Sequence, residues 1–227
     1  TANWFNSNVA SGSGVTADFS RLDLSGNRTV TLDGARTIGN LKFGDATATY
    51  GWTLATGSAG PLTLSGTTPT ITVNNGSTTI SAVLAGTNGM TKAGAGNLVL
   101  VSANTCTGGT TLSAGTLTVN HASALASGTL TITGGILANS SGGTITLAGN
   151  QNWNGNFTYS GPNNLILSGA VTLNANRTVT VNGGDLTSTG VISGAFSLTK
   201  AGTSTLTLAG ANTYSGGTAV TAVKILA

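Results

Sequence analysis

Residues Met90–Val119 read MTKAGAGNLVLVSANTCTGGTTLSAGTLTV, and residues Leu198–Ala227 read LTKAGTSTLTLAGANTYSGGTAVTAVKILA. Lys92 maps onto Lys200, a fixed offset in the numbering. The same offset carries Gly94 to Gly202, Leu98 to Leu206, Leu100 to Leu208, Asn104 to Asn212 and Gly109 to Gly217 without a gap. Upstream it carries TITVNNG at Thr70 onto TVTVNGG at Thr178, and VLAG at Val83 onto VISG at Val191. A unit a little under half the length of the chain is thus imperfectly duplicated. Inside each copy single apolar residues alternate with Thr, Ser or Asn, the period of a half-buried strand, and Gly or Asn closes each short run.

The alternation extends outward from the block in both directions. It is present in LTLSG at Leu62, GTLTITGG at Gly128, GTITLAGN at Gly143, NLILSG at Asn164 and TLTLAG at Thr205. Turn signals such as SGN at Ser25 and DG at Asp33 punctuate it. In RLDLSGNRTVTLDG the pairs Leu22 and Leu24, then Val30 and Leu32, read as strand pairs, with Asp23 facing outward. Pro61 and Pro69 flank strand starts and Pro162 lies in a turn, where a missing amide donor does little harm. No helix cap followed by a periodic apolar run occurs. The class is all-β.

Composition selects the architecture. Charged residues are 6% of the 227, Glu is absent, 39% are hydrophobic and 35 are Gly. A disordered chain has few apolar residues and much charge, the opposite balance. Short strands would also suit a sandwich or a barrel. The internal repeat favours a quasi-one-dimensional stack instead. Gly and Asn tolerate the positive φ of sharp corners. Thr, Ser and Asn form hydrogen-bonded ladders when like residues stack on successive coils, whereas stacked charges repel. The expectation is therefore a parallel β-solenoid, a single elongated domain of about 20 residues per coil and on the order of 11 coils, roughly 50 Å long. Its inner face takes Leu98, Leu100, Leu117, Val119, Leu130, Ile132, Ile145, Leu147, Leu165, Leu167, Val179, Val181, Leu206 and Leu208. Residues 1–18 form a lead-in that caps the stack or takes part in assembly, and 19–227 form the solenoid.

The eight Lys and Arg give a net charge of +3 but do not cluster, so no nucleic-acid stripe forms. No stretch approaches the roughly 20 apolar residues of a membrane helix, so no membrane insertion is expected. A chain that starts at Thr1 without Met is read as exported with a leader removed, or as trimmed from a longer chain.

Chemistry-bearing residues are sparse, and no cofactor is expected. His121 is the single His, with Ser123 near it and no acid close in sequence, and it reads as a surface turn residue. Asp18, Asp33 and Asp45 are oxygen donors for Ca²⁺ if they converge across coils. Turn capping, or pairing with Arg21, Arg28 and Arg36, is the plainer account. Cys106 has no partner for an internal disulfide and reads as a packing position, replaced by Tyr214 in the second copy. Trp52, Trp153, Tyr50, Tyr159 and Tyr214 are candidates for stacking on sugars, with Trp153 and Tyr159 in NWNGNFTY the best placed. Packing in the core or in turns is the competing account. Lys92 has a long stem that can lie along the surface.

The duplicated block resembles the autotransporter-associated β-strand repeat, also called the passenger-associated transport repeat. The first copy matches at Thr91, Lys92, Gly94, Gly96, Leu98, Leu100, Asn104, Thr105, Gly108, Gly109, Thr110, Ala114, Gly115 and Leu117. The second matches at Thr199, Lys200, Gly202, Leu206, Leu208, Asn212, Thr213, Tyr214, Gly216, Gly217 and Thr218. Two departures stand out: Cys106 where the family more often has an aromatic, and TAVTAVKILA where a Gly-containing turn is expected. The resemblance implies a bacterial secreted or cell-surface protein with a right-handed parallel β-helix, and it implies no catalytic chemistry.

The functional expectation is a non-enzymatic structural subunit that associates head to tail into a filament or surface layer. An uncovered solenoid end pairs with other chains, and the end-contact candidates are Trp4, Phe5, Val223, Ile225 and Leu226. The alternative is an adhesin or glycan-binding passenger that contacts cell-surface polysaccharide through Trp153 and Tyr159. A polysaccharide-degrading β-helix enzyme comes third.

Overall fold

The computed structural model describes residues 10–57 and 60–222. Within them every strand pairing is parallel and no helix occurs: the chain is a β-solenoid of about ten coils. Two sheets run its length. Sheet A stacks Gly12–Phe19, Arg36–Phe43, Thr70–Val73, Met90–Ala93, Thr110–Leu112, Leu130–Ile132, Gln151–Trp153, Val171–Leu173 and Ile192–Ser193. From the first half of Arg36–Phe43 a branch continues through Leu62–Leu64 to Leu84–Ala85. Sheet B has ten strands, from Arg28–Thr31 to Thr218–Val220. Sheet C closes a third side late in the stack, with Ile145–Leu147, Leu165–Leu167, Leu186–Ser188 and Leu206–Leu208.

Alternation is the cause of this wrapping. Each short strand sends two apolar side chains into the lumen and one polar residue out, so three strands can enclose one layer of core. Leu98, Leu100, Leu117, Val119, Ile132, Leu165, Leu167, Val179 and Val181 are wholly buried, as their parity requires. Leu206 and Leu208 are half-buried, because they lie toward the last described coil. Burying one such side chain contributes about 1.5–3 kcal/mol relative to leaving it exposed. Thr118, between the inward Leu117 and Val119, is buried as well, although its parity points it outward.

Met90, Thr110, Leu130, Gln151, Val171 and Ile192 stand in register, one position on each successive coil. The register also explains the length of the duplicated unit. Five coils carry Met90 to Ile192, and the next strand starts at Leu198. The duplicated unit is therefore five coils plus one side. Met90–Ala93 lies in sheet A and its copy Leu198–Ala201 in sheet B; Asn97–Leu100 lies in sheet B and its copy Leu206–Leu208 in sheet C. One motif serves different sides of the solenoid because a strand on any side needs the same alternation of inward and outward residues.

The start of the solenoid differs from the boundary at residue 18. Gly12–Phe19 is already a strand of sheet A, paired with Arg36–Phe43 in continuous register from Thr16 after a shift between Gly12 and Thr16, and it stacks Phe19 on Phe43 at 5.2 Å between ring centroids. Alternation read from sequence misses it because only Ala17 among its residues is buried. Leu22 and Leu24 do not make a strand pair. Arg21–Gly26 is a turn region in which Leu24 is buried and Leu22 is 53% exposed.

Corners are where Gly and Asn act. One corner carries a column of glycines: a Cβ on Gly169 would stand 2.2 Å from the Gly149 carbonyl oxygen, and one on Gly190 would stand 2.0 Å from that of Gly169. Asn acts mainly through its side-chain carbonyl, which accepts a backbone N–H from the next coil. Asn150 accepts from Ala170, Asn164 from Asp185, Asn176 from Ser197 and Asn182 from Thr203, at 2.9–3.2 Å. Ladders between like side chains are the lesser part: Ser65 donates to Ser13 at 3.1 Å, whereas a rung such as Thr118 to Asn97 at 2.8 Å joins unlike residues.

Candidate functional site

The duplicated block is built around two polar side chains that enter the interior. Lys92 follows Met90 by two positions, so the pleat turns both inward. Its side chain is wholly buried rather than laid along the surface. The ammonium donates to the carbonyls of Ala93, Gly94 and Ala114 at 2.9, 2.8 and 3.0 Å, the last from the following coil. All three of its protons are thereby used. Burial pushes its pKa down to about 8. Lys200 repeats the arrangement in the second copy, donating to the carbonyls of Gly202 and Ala222.

Asn104 spans three coils. Its carbonyl accepts from the Leu84 N–H at 2.8 Å, its amide donates to the Ala124 carbonyl at 2.7 Å, and its backbone N–H reaches Ser123. The third side of the solenoid has no regular strand at this level, and this buried amide supplies the missing rungs. Asn212 accepts from Ile192 in the corresponding way. Cys106 is buried beside it, as expected for a packing position, and burial raises its thiol to about 11, so it is not a reactive thiolate at neutral pH.

The aromatic candidates are core residues. Trp153 and Tyr159 are both wholly buried, which removes them as glycan contacts. Trp153 donates its indole N–H to Gln151 Oε1 at 3.1 Å and meets Phe157 edge-on at 5.2 Å; the Tyr159 hydroxyl donates to the Asn163 carbonyl. Their parity is the cause: Asn152 and Thr158 take the outward positions between inward pairs. Trp52 is buried too, donating to the Gly44 carbonyl at 2.8 Å, and Tyr50 and Tyr214 are half-buried. The end-contact candidates Trp4, Phe5, Val223, Ile225 and Leu226 lie outside the described residues.

The three aspartates are occupied separately. Burial opposes the Asp18 charge, but hydrogen bonds from Ser20 and Arg21 outweigh it and hold the pKa below the usual carboxylate value. Arg36 does the same for Asp33, at 2.8 Å. Asp45 is buried and accepts the N–H groups of Leu24, Tyr50 and Thr49 and the hydroxyl of Thr47, which hold it down to about 2. Arg28 bonds Ser25 rather than an aspartate. The exposed His121 accepts the Ser123 N–H at Nδ1, 2.9 Å, inside its own turn.

Sequence reading missed the outer face of sheet A. There Thr16, Asn40, Thr70, Thr91, Thr111, Thr131, Asn152, Thr172 and Ser193 form one register column. An open groove of about 250 Å³ runs beside its middle, over Gly89, Gly108 and Gly109. The register, more than any motif, is the signal that reveals it.

The passenger-associated-transport-repeat family model matches residues 90–119 and 198–222, the two Lys and Asn clamps just described. The chain carries two passenger-associated transport repeats. It is also similar to the adhesin BmaC autotransporter of Brucella suis biovar 1 (strain 1330), with 50% identity over 92 residues. That match covers 40% of this chain and 2% of the adhesin's length. No solved structure matches the chain. These transport repeats belong to a secreted or cell-surface protein.

Proposed function

We propose that this chain is a rod segment of a bacterial surface adhesin, a non-enzymatic solenoid whose flank makes contact while its coils supply length. The observation that carries this reading is the 50% identity to an autotransporter adhesin over 92 residues. The polar outer column suits a contact surface, because its side chains are half-exposed or exposed and, from Asn40 to Thr172, their backbone is held by strands on both sides. The chain, displayed on a non-adherent bacterium through an unrelated anchor, is expected to raise attachment to host-cell or matrix-coated surfaces above an anchor-only control. Attachment equal to that control overturns the reading.

End-to-end association is the second reading. Among the described residues Thr218–Val220 pairs on one side, with Leu198–Ala201, and Val220 is 56% exposed, while toward the start of the described chain Val15 and Leu22 are exposed at 38% and 53%. Such edges accept a further strand. Electron microscopy of the purified chain is expected to show rods joined along their axes; single rods at all concentrations count against it.

A further inference from the structure

We infer that the groove on sheet A binds a neutral, linear polysaccharide laid along the solenoid axis. The inference rests on the adhesin reading and gives its contact surface a ligand class. Thr91, Thr111, Thr131 and Asn152 line the groove from four successive parallel strands, and Thr68 and Asn88 line it as well. Gly89 and Gly109 also line it, at φ 73° and φ 87°, where the next coil packs too closely for a side chain: a Cβ would stand 2.5 Å from the Gly108 carbonyl oxygen and 2.7 Å from that of Thr129 respectively.

Three features narrow the ligand. First, no ionisable side chain lines the groove, and an anionic polymer would lose water there without gaining a counter-charge. Second, the four strands offer hydroxyls and one amide, groups that both donate and accept, as sugar hydroxyls do. Third, the rungs repeat once per strand, about 4.8 Å, and an extended hexose polymer advances by roughly one strand spacing per sugar. An extended peptide repeats on one side only every two residues, roughly 6.6 Å, and falls out of step. Each hydroxyl contact is weak alone. Retention therefore needs several consecutive rungs and, on a cell, many copies.

The test uses the full chain on immobilised neutral linear glucan, mannan and galactan, with polygalacturonate as the anionic comparison. Retention on at least one neutral polymer is expected. The double variant Thr111→Val and Thr131→Val should weaken it by at least about tenfold, since two of four rungs lose their hydrogen bonds while shape is kept. Thr146→Val with Thr207→Val, on sheet C away from the groove, should leave it unchanged, and circular dichroism checks the fold of each. No retention on any neutral polymer, preference for polygalacturonate, or equal loss in both double variants overturns the inference. Surface display separates the two readings. If the displayed chain promotes attachment and T111V/T131V attaches equally well, the groove assignment falls and the adhesin reading stands.

Discussion

Lys92 is a buried cation held by the Ala93, Gly94 and Ala114 carbonyls rather than by a carboxylate. Lys92→Met keeps the stem and removes the three donors. A buried acceptor left without a partner costs about 1–3 kcal/mol, so the variant is expected to unfold at lower urea concentration and to exchange the amides of Gly96 and Thr116 faster. The pH dependence has a definite sign. Burial lowers this pKa from 10.5 to about 8, so between those values the unfolded chain holds the proton more tightly and stability rises with pH; below about 8 the slope vanishes. Urea titrations from pH 7 to 11 should show the rise in the native chain and none from this site in Lys92→Met. Asp45 gives the opposite case. Its pKa falls from 3.8 to about 2 because the Leu24, Tyr50 and Thr49 amides and the Thr47 hydroxyl bond its charged form. Its stabilisation is full above about pH 4 and lost as pH falls towards 2. Amide exchange at Leu24 and Tyr50 should accelerate over that window in the native chain, and Asp45→Ala should show fast exchange at every pH.

At the scale of single strands and corners, coil spacing leaves no room for side chains at certain positions. Gly169→Ala places a methyl 2.2 Å from the Gly149 carbonyl oxygen, and overpacking of this kind costs about 1–3 kcal/mol. Gly143→Ala is the control: nothing lies within 4 Å of its Cβ and its φ is not left-handed, so it should be neutral or slightly stabilising. Thermal melts of the two variants measure the contrast. The strands are legible in sequence because parity decides which residues enter the lumen, and for Leu98 with Leu100 or Leu165 with Leu167 parity and hydrophobicity agree. Sequence misplaces Lys92 and Trp153 because a second cue overrides parity: charge argues for solvent at Lys92, and an aromatic among asparagines argues for a binding face at Trp153. Both follow the alternation of MTK and QNW. What parity cannot deliver is contact between coils. The Asn150 bond to Ala170 and the span of Asn104 from Leu84 to Ala124 join residues a full coil apart, and only the register reveals them. The groove on sheet A belongs to the same class, since Thr68 and Asn152 lie on different coils and share no local pattern.

Across the whole molecule, each coil contacts mainly its two neighbours, so stability accumulates coil by coil rather than from one central core. Large changes that respect the coil length should therefore be milder than small ones that break alternation. Gln151 stands in register with Val171, so deleting residues 151–170 joins Asn150 to Val171 and lets Val171–Leu173 stack directly on Leu130–Ile132. The lumen stays apolar, because Val171 and Leu173 occupy the inward positions that Gln151 and Trp153 vacate. The shortened chain is expected to keep its β-sheet circular dichroism and a cooperative melt, with a rod shorter by about one strand spacing, about 4.8 Å. Deleting Thr172 alone removes one residue but sets Val171 beside Leu173, so one of two buried side chains must turn to solvent and the strand loses step with both neighbours. Its melting temperature should fall further than that of the whole-coil deletion. The one-side offset between the two transport repeats argues for the same ordering: the fold accommodates a duplicated unit that does not complete a whole number of coils because a shift by one side keeps every Leu inward. A melt in which the coil deletion is the more damaging change would mean that the solenoid is held by one indispensable layer, with Trp153, Phe157 and Tyr159 as its centre.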